Sequence, residues 1–312
     1  MNNGPKHAHI EPSTLCNLKC LSCITWSIDF ARKGNMTLEQ LKYVLDQIPT
    51  LDDVSLLGLG EPFMNPQLLD MAEELKRRNL ASRTATNGML LHRFDLDRVV
   101  KVFDEVIFSF DAASKEIFEK VRCGSDYDLI TGNIQKLRET RDRNGSPVQI
   151  TMNTVISSLN CNDVPGIVDI AREYGISKLR FIMAMDTVGT DFADEKLNSK
   201  MTEIRGLQID DYEIEDKLHS ELGLKCEEAG IEWSFQGSAP LAPECWWPRR
   251  GVFVTYEGYI TPCCIRMDPS LISFGNIYEQ PFKEIWNSEG YSCFRKRFEE
   301  GSVPGICRRC PK

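Results

Sequence analysis

Cys16, Cys20 and Cys23, in C-x3-C-x2-C spacing, constrain this chain more than any other feature of its sequence. They sit in the polar stretch Cys16-Asn-Leu-Lys-Cys20-Leu-Ser-Cys23, directly behind the first apolar run. Three thiolates can hold three irons of a cubane and leave the fourth iron open to another ligand. A structural zinc site asks for four closed ligands, usually in paired C-x2-C spacing, and no histidine lies nearby to supply the fourth. Cysteines buried only for packing fit worse, because the loop is polar.

From residue 7 to about 184, short apolar runs alternate with segments of helical period, the pattern of βα units. Strands are expected at His9–Pro12, Val54–Leu59, Ser82–Thr86, Val106–Phe110, Val148–Val155 and Lys178–Ala184. Thr37 and Gln40 make a capping box ahead of Leu38, Leu41, Val44, Leu45 and Ile48. Asn65-Pro66 reads as an N-cap with proline at the first helical position, and Asp163 as the start of a helix that stops at Gly175. Six repeats fall short of the eight of a closed barrel. The expectation is an α/β fold: a partial (β/α)6 barrel over residues 1–184. A polar connector follows over 185–243, with one helix near Tyr212–Glu228, and then a small cysteine-rich module over 244–312.

A chain of 312 residues accommodates a large domain with such an appendage. No stretch approaches a membrane span or the apolar core of a signal peptide, which points to a cytoplasmic address and no membrane partner. A formal charge of -9 disfavours nucleic acid and is compatible with a cationic small-molecule substrate. Much of the excess lies around Asp186, Asp191, Asp194, Glu195, Asp210, Asp211, Glu213, Glu215 and Asp216, which reads as a solvated acidic face. Twelve cysteines, most of them grouped, point in a reducing compartment to metal or redox chemistry rather than disulfides.

The first motif resembles that of the radical S-adenosylmethionine (SAM) superfamily. The resemblance implies a 4Fe-4S cluster on Cys16, Cys20 and Cys23 whose open iron binds SAM, and a 5′-deoxyadenosyl radical that abstracts a substrate hydrogen. It also implies a flavodoxin- or ferredoxin-type reductant. Gly60-Glu61-Pro62 matches the family's Gly-Glu-Pro, with Glu61 meeting the SAM amino group. Thr86 and Asn87 follow the third strand; Ser109 and Asp111 end the fourth, where the ribose is met. Arg122 stands where similar enzymes pair the SAM carboxylate, and Asn153 on the fifth strand is a further ribose contact. Where the family places an aromatic residue for adenine, this chain has Ser22, with Trp26 as a substitute.

The C-terminal module reads Cys245-x12-Gly258-x4-Cys263 and then, after 43 residues, Cys307-x2-Cys310. By spacing alone a zinc ribbon also fits. The pattern resembles the SPASM/Twitch extension, the single-cluster Twitch form in particular, and implies a second, auxiliary 4Fe-4S cluster held by these four cysteines. Cys264, beside Cys263, is either a hydrogen donor to a substrate radical or a small buried residue. The nearest resemblance in layout is to aminocyclitol dehydrogenases and aminoglycoside or sugar epimerases. It implies dehydrogenation or epimerisation of a small polar substrate, with Cys264 favouring epimerisation. Modification of a ribosomally made peptide is the alternative, disfavoured by the 15 residues ahead of Cys16, too few for a leader-binding domain. A non-catalytic iron–sulfur electron carrier is the second alternative.

Overall fold

The computed structural model describes residues 4–24, 33–185, 195–238, 245–308 and 310. Strands β1 (His7–Ile10), β2 (Asp53–Leu56), β3 (Ala81–Thr86), β4 (Glu105–Ser109), β5 (Gln149–Ile156) and β6 (Lys178–Met183) lie side by side in chain order, all parallel. Between them run α1 (Leu38–Gln47), α2 (Leu68–Arg77), α3 (Leu96–Val102), α4 (Lys115–Val121), α5 (Tyr127–Asn144) and α6 (Ile167–Glu173). The alternation of strand side chains sorts the two faces. Ala8, Ile10, Val54, Leu56, Val106, Phe108, Ile150 and Met152 pack into the helix-covered core, whereas His7, His9, Asp53, Ser55, Arg83, Ile107 and Asn153 face the lumen.

The sheet continues past the six expected strands. The stretch expected as a connector with one helix carries α7 (Glu195–Arg205), α8 (Tyr212–Ala229) and a strand, β7 (Glu232–Gln236), that pairs with β6 in parallel. Asp186, Asp191 and Asp194 lie outside the described residues, as does Trp26. The cysteine-rich segment opens with α9 (Trp247–Arg250) and β8 (Gly251–Val254), which pairs in parallel with β1; β9 (Ile260–Thr261) turns back antiparallel. Helices α10 (Phe282–Trp286) and α11 (Glu289–Glu299) complete this segment. Among the described residues the order is β7-β6-β5-β4-β3-β2-β1-β8-β9.

Two helix starts differ from expectation. Thr37 and Gln40 form their capping box, but Asn65 and Pro66 precede the helix, which begins at Leu68 behind Gln67. The Asn65 side chain instead donates to the Pro12 and Met36 carbonyls, both at 2.8 Å, and so ties the β1 and α1 loops together. Asp163 leads first into a 3-10 turn, Val164–Gly166. Its carboxylate accepts from the Ser114 N–H at 2.9 Å, across to the start of α4.

Candidate active site

The cysteine loop after β1 is clamped from two sides. On one side Gly60 N–H donates to the Ser13 carbonyl at 3.2 Å and Glu61 N–H to the Leu15 carbonyl at 2.8 Å. On the other, Lys19 and Leu21 donate to the carbonyls of Cys123 and Val121, both at 2.9 Å. Cys23 N–H closes the C-x2-C turn onto the Cys20 carbonyl at 3.1 Å. Burial pushes the Cys20 thiol up to about 12 and raises Cys16 as well, with the other thiols of the set adding to both. Iron displaces such protons when it binds.

Glu61 is buried, and three protein donors reach its carboxylate: Phe63 N–H at 3.2 Å, Thr86 Oγ1 at 2.7 Å and Asn87 N–H at 2.7 Å. A carboxylate offers about four acceptor sites, so one is left for a ligand ammonium. Burial raises the Glu61 pKa despite these bonds. Asn87 Nδ2 crosses to Asn17 Oδ1 at 2.9 Å and lies 4.0 Å from Cys16 Sγ. Thr86 is thus spent inside the fold, holding Glu61 while accepting from Gly88 N–H at 3.0 Å.

Asp111 and Arg122 are paired with each other. Burial opposes the Arg122 charge, but Asp111 and the nearby Cys20 and Cys16 outweigh it and raise its pKa. Arg122 Nε is buried without a hydrogen-bond partner, a donor left over for a ligand carboxylate. Asp111 also accepts from Val155 N–H at 2.8 Å, so it orients Arg122 and anchors β5. Ser109 stands level with Asn153 in the β4–β5 register, and Asn153 Oδ1 is buried with no partner. Pro62 is buried at the start of a 3-10 turn. These residues suit an amino-acid-bearing nucleoside: an ammonium acceptor and a carboxylate donor beside the cysteine loop, and an amide oxygen without a partner in the lumen.

In the C-terminal segment, Cys245, Cys263, Cys307 and Cys310 line a single cavity with Trp247, Pro248, Pro262, Arg266, Phe294 and Phe298. Phe294 and Phe298, four apart on α11, present one face to it. Cys310 N–H bonds the Cys307 carbonyl at 3.1 Å, the same closure as in the first C-x2-C turn. Among the described residues no three His, Cys, Asp or Glu side chains converge as they do around a single metal ion. Ligands to the corners of a cubane stand further apart, around a cavity as here. Cys264 is 8% exposed and lines neither this cavity nor the lumen.

Residues 10–189, more than half of the chain, match the radical SAM superfamily. This chain belongs to the radical SAM superfamily. Residues 245–311 match the SPASM iron–sulfur cluster-binding domain. SAM and a 4Fe-4S cluster are therefore its cofactors, with auxiliary iron–sulfur in the SPASM segment. The AdoMet-dependent heme synthase of Methanosarcina barkeri is 26% identical, over 99% of this chain and 89% of that protein. A PqqA peptide cyclase of Granulibacter bethesdensis is 20% identical, over 95% and 77%. The crystal structure of Streptococcus suis SuiB bound to its precursor peptide SuiA aligns with a TM-score of 0.74 at 16% identity, over 99% of this chain and 71% of that one. No helix among the described residues is long and apolar enough to cross a membrane.

The radical SAM lumen was not legible in the motifs. A cavity of about 790 Å³ runs from Lys6 and Asp52 at the N-terminal strand ends to Leu57, Asn153 and Gln236. Asp53 accepts from His7 and, at 3.2 Å, from Arg83; Glu105 accepts from Arg180 at 2.6 Å and Thr151 at 2.7 Å. Burial opposes the Asp53 charge, yet His7, Arg83 and Arg250 prevail and lower its pKa. These charges lie at the end of the barrel opposite the cysteine loop.

If Glu61 and Arg122 grip the amino-acid end of SAM, Glu61→Gln and Arg122→Lys each weaken SAM binding about ten- to a hundredfold. That is the value of about 1.5–3 kcal/mol for hydrogen bonds to charged groups. Calorimetric titration with SAM, beside an iron assay, checks it. Wild-type affinity in both variants places the pocket elsewhere.

Proposed function

We propose that this chain is a radical SAM enzyme that modifies a peptide, held extended beside the lumen while one side chain enters it. The observation that carries this is the open flank of the barrel. Among the described residues β7 has no strand on its outer edge, while Ser234 and Gln236 of β7 line the lumen. An extended peptide can pair its backbone with such an edge and turn alternate side chains inward. The lumen is near the upper end of the range of about 300–1,000 Å³ for ligand pockets, more than one sugar ring needs. Trp246 is exposed on its wall beside His7, at the end away from the cysteine loop, and stacks on Trp247.

This reading replaces the expected epimerisation or dehydrogenation of a small sugar-like substrate. A peptide cyclase aligns over nearly the whole chain, and the fold is shared with a peptide-bound enzyme. In the proposed reaction Glu61, Arg122 and Asn153 would hold SAM, Cys16, Cys20 and Cys23 would hold the first cluster, and the lumen would receive the substrate side chain. The cluster and SAM supply the radical when bound. The test measures 5′-deoxyadenosine released with peptides encoded beside the gene, with 2-deoxy-scyllo-inosamine, and with iron coproporphyrin. Peptide-stimulated release with a mass change in the peptide is the expected result. Stimulation by the aminocyclitol or the porphyrin alone overturns the proposal.

Cys264 lines neither cavity and passes no hydrogen to the substrate in this reaction. Cys264→Ala is expected to keep near-wild-type turnover, with no solvent deuterium in product formed in D2O. A thiol proton exchanges with solvent, so one deuterium in the wild-type product, together with loss of product but intact SAM cleavage in Cys264→Ala, restores the donor role.

A further inference from the structure

Among the described residues, the wall of the four-cysteine cavity has one ionisable group besides its thiols. Arg266 is 1% exposed and lines the cavity with Cys245, Cys263, Cys307 and Cys310. Its Nε donates to the Ile306 carbonyl at 2.9 Å, which fixes the guanidinium against the segment that leads into Cys307. Its backbone N–H donates to Cys263 Sγ at 3.4 Å. The other described residues of the wall are Trp247, Pro248, Pro262, Phe294 and Phe298, so little water screens the charge.

A buried guanidinium is costly unless negative charge faces it. Four thiolates around an iron–sulfide core carry that charge, and each added electron increases it. A fixed cation in a dry wall therefore favours the reduced state over the oxidised one, and hydrogen bonds to ligand sulfur act in the same direction. We infer that Arg266 sets the redox poise of the auxiliary site, raising the reduction potential of a cluster held by Cys245, Cys263, Cys307 and Cys310. A raised potential suits an electron acceptor rather than a strong reductant. The inference rests on these four cysteines being the ligands.

The test titrates reconstituted wild type, Arg266→Gln and Arg266→Lys potentiometrically, following the reduced auxiliary cluster by electron paramagnetic resonance. The full chain is used, and a Cys16/Cys20/Cys23→Ala background isolates the auxiliary signal. At the wild-type midpoint, Arg266→Gln is expected to hold about tenfold less reduced relative to oxidised cluster, a shift of about 59 mV to lower potential for one electron. Arg266→Lys, which keeps the charge, stays within about threefold. A wild-type midpoint in a fully loaded Arg266→Gln overturns the inference. Loss of auxiliary iron from both variants also overturns it, because the guanidinium then serves only to hold the Ile306 segment. Absence of auxiliary iron from the wild type defeats the ligand reading instead, a distinguishable failure.

Discussion

Replacing Cys16, Cys20 and Cys23 together by alanine is expected to remove about half of the reconstituted iron and to abolish reductive cleavage of SAM. Two cubanes amount to about eight irons per chain, and the two cysteine sets belong to different parts of the fold. One lies between the β2 loop and residues 121–123; the other lines a cavity closed by α9 and α11. Backbone hydrogen bonds that these substitutions leave in place fasten the cysteine loop on both sides, so the barrel itself persists. Circular dichroism should be unchanged while 5′-deoxyadenosine, measured chromatographically, disappears. Full iron retention in the triple variant, or one tightly bound zinc in the wild type, contradicts the assignment of these thiols.

The radical SAM family was legible because the chemistry needs particular residues at a particular spacing, and a C-x3-C-x2-C loop leaves few readings. The six βα units were legible for a different reason: Val54, Leu56, Val106 and Phe108 must be apolar to face the helices. Strand ends were harder. β1 begins at His7, two residues before the expected start, because its lumen-facing positions are His7 and His9 and break the apolar run. β7 escaped notice because Glu232 and Ser234 are exposed or half-buried on an edge, after a long acidic helix. The lumen charges are spread over β1 to β6, and no local pattern in the chain joins His7, Asp53, Arg83, Glu105 and Arg180. Arg266 gave no signal either, as a lone arginine in a stretch without other basic residues.

The roles of Glu61, Thr86 and Asp111 show what motif reading alone leaves out. Each was expected to face the ligand, yet each is first a fastener. Glu61 and Thr86 join the β2 and β3 loops, and Asp111 joins Arg122 to β5. On the proposed assignment the SAM pocket is braced by the fold before SAM arrives, and Arg122 Nε and Asn153 Oδ1 are buried groups that the fold leaves without a hydrogen-bond partner. Such preorganisation lowers the ordering cost of binding. It also makes the pocket sensitive to backbone displacement.

Gly60→Ala is the sharpest test of that sensitivity. A Cβ at Gly60 would lie 2.5 Å from both the Ser13 and Leu15 carbonyl oxygens and 2.6 Å from the Thr14 carbonyl carbon. All three atoms belong to the backbone that leads into Cys16, so no side chain can swing aside. Carbon contacts settle near about 3.5–4.0 Å, so the β2 loop and the cysteine loop must part by about 1 Å. Overpacking of this kind costs about 1–3 kcal/mol, which the fold survives. Catalysis is less tolerant: a misplacement of about 1 Å can lower the rate about a hundredfold. The expected outcome is SAM cleavage down about a hundredfold, with the auxiliary half of the iron retained and melting lowered by a few degrees. Gly132→Ala is the control, since nothing lies within 4 Å of its added Cβ and it sits inside α5. That variant is expected to match or slightly exceed the wild type in stability, with unchanged SAM cleavage. Wild-type cleavage by Gly60→Ala would mean that the β2 loop does not form the wall of the SAM pocket.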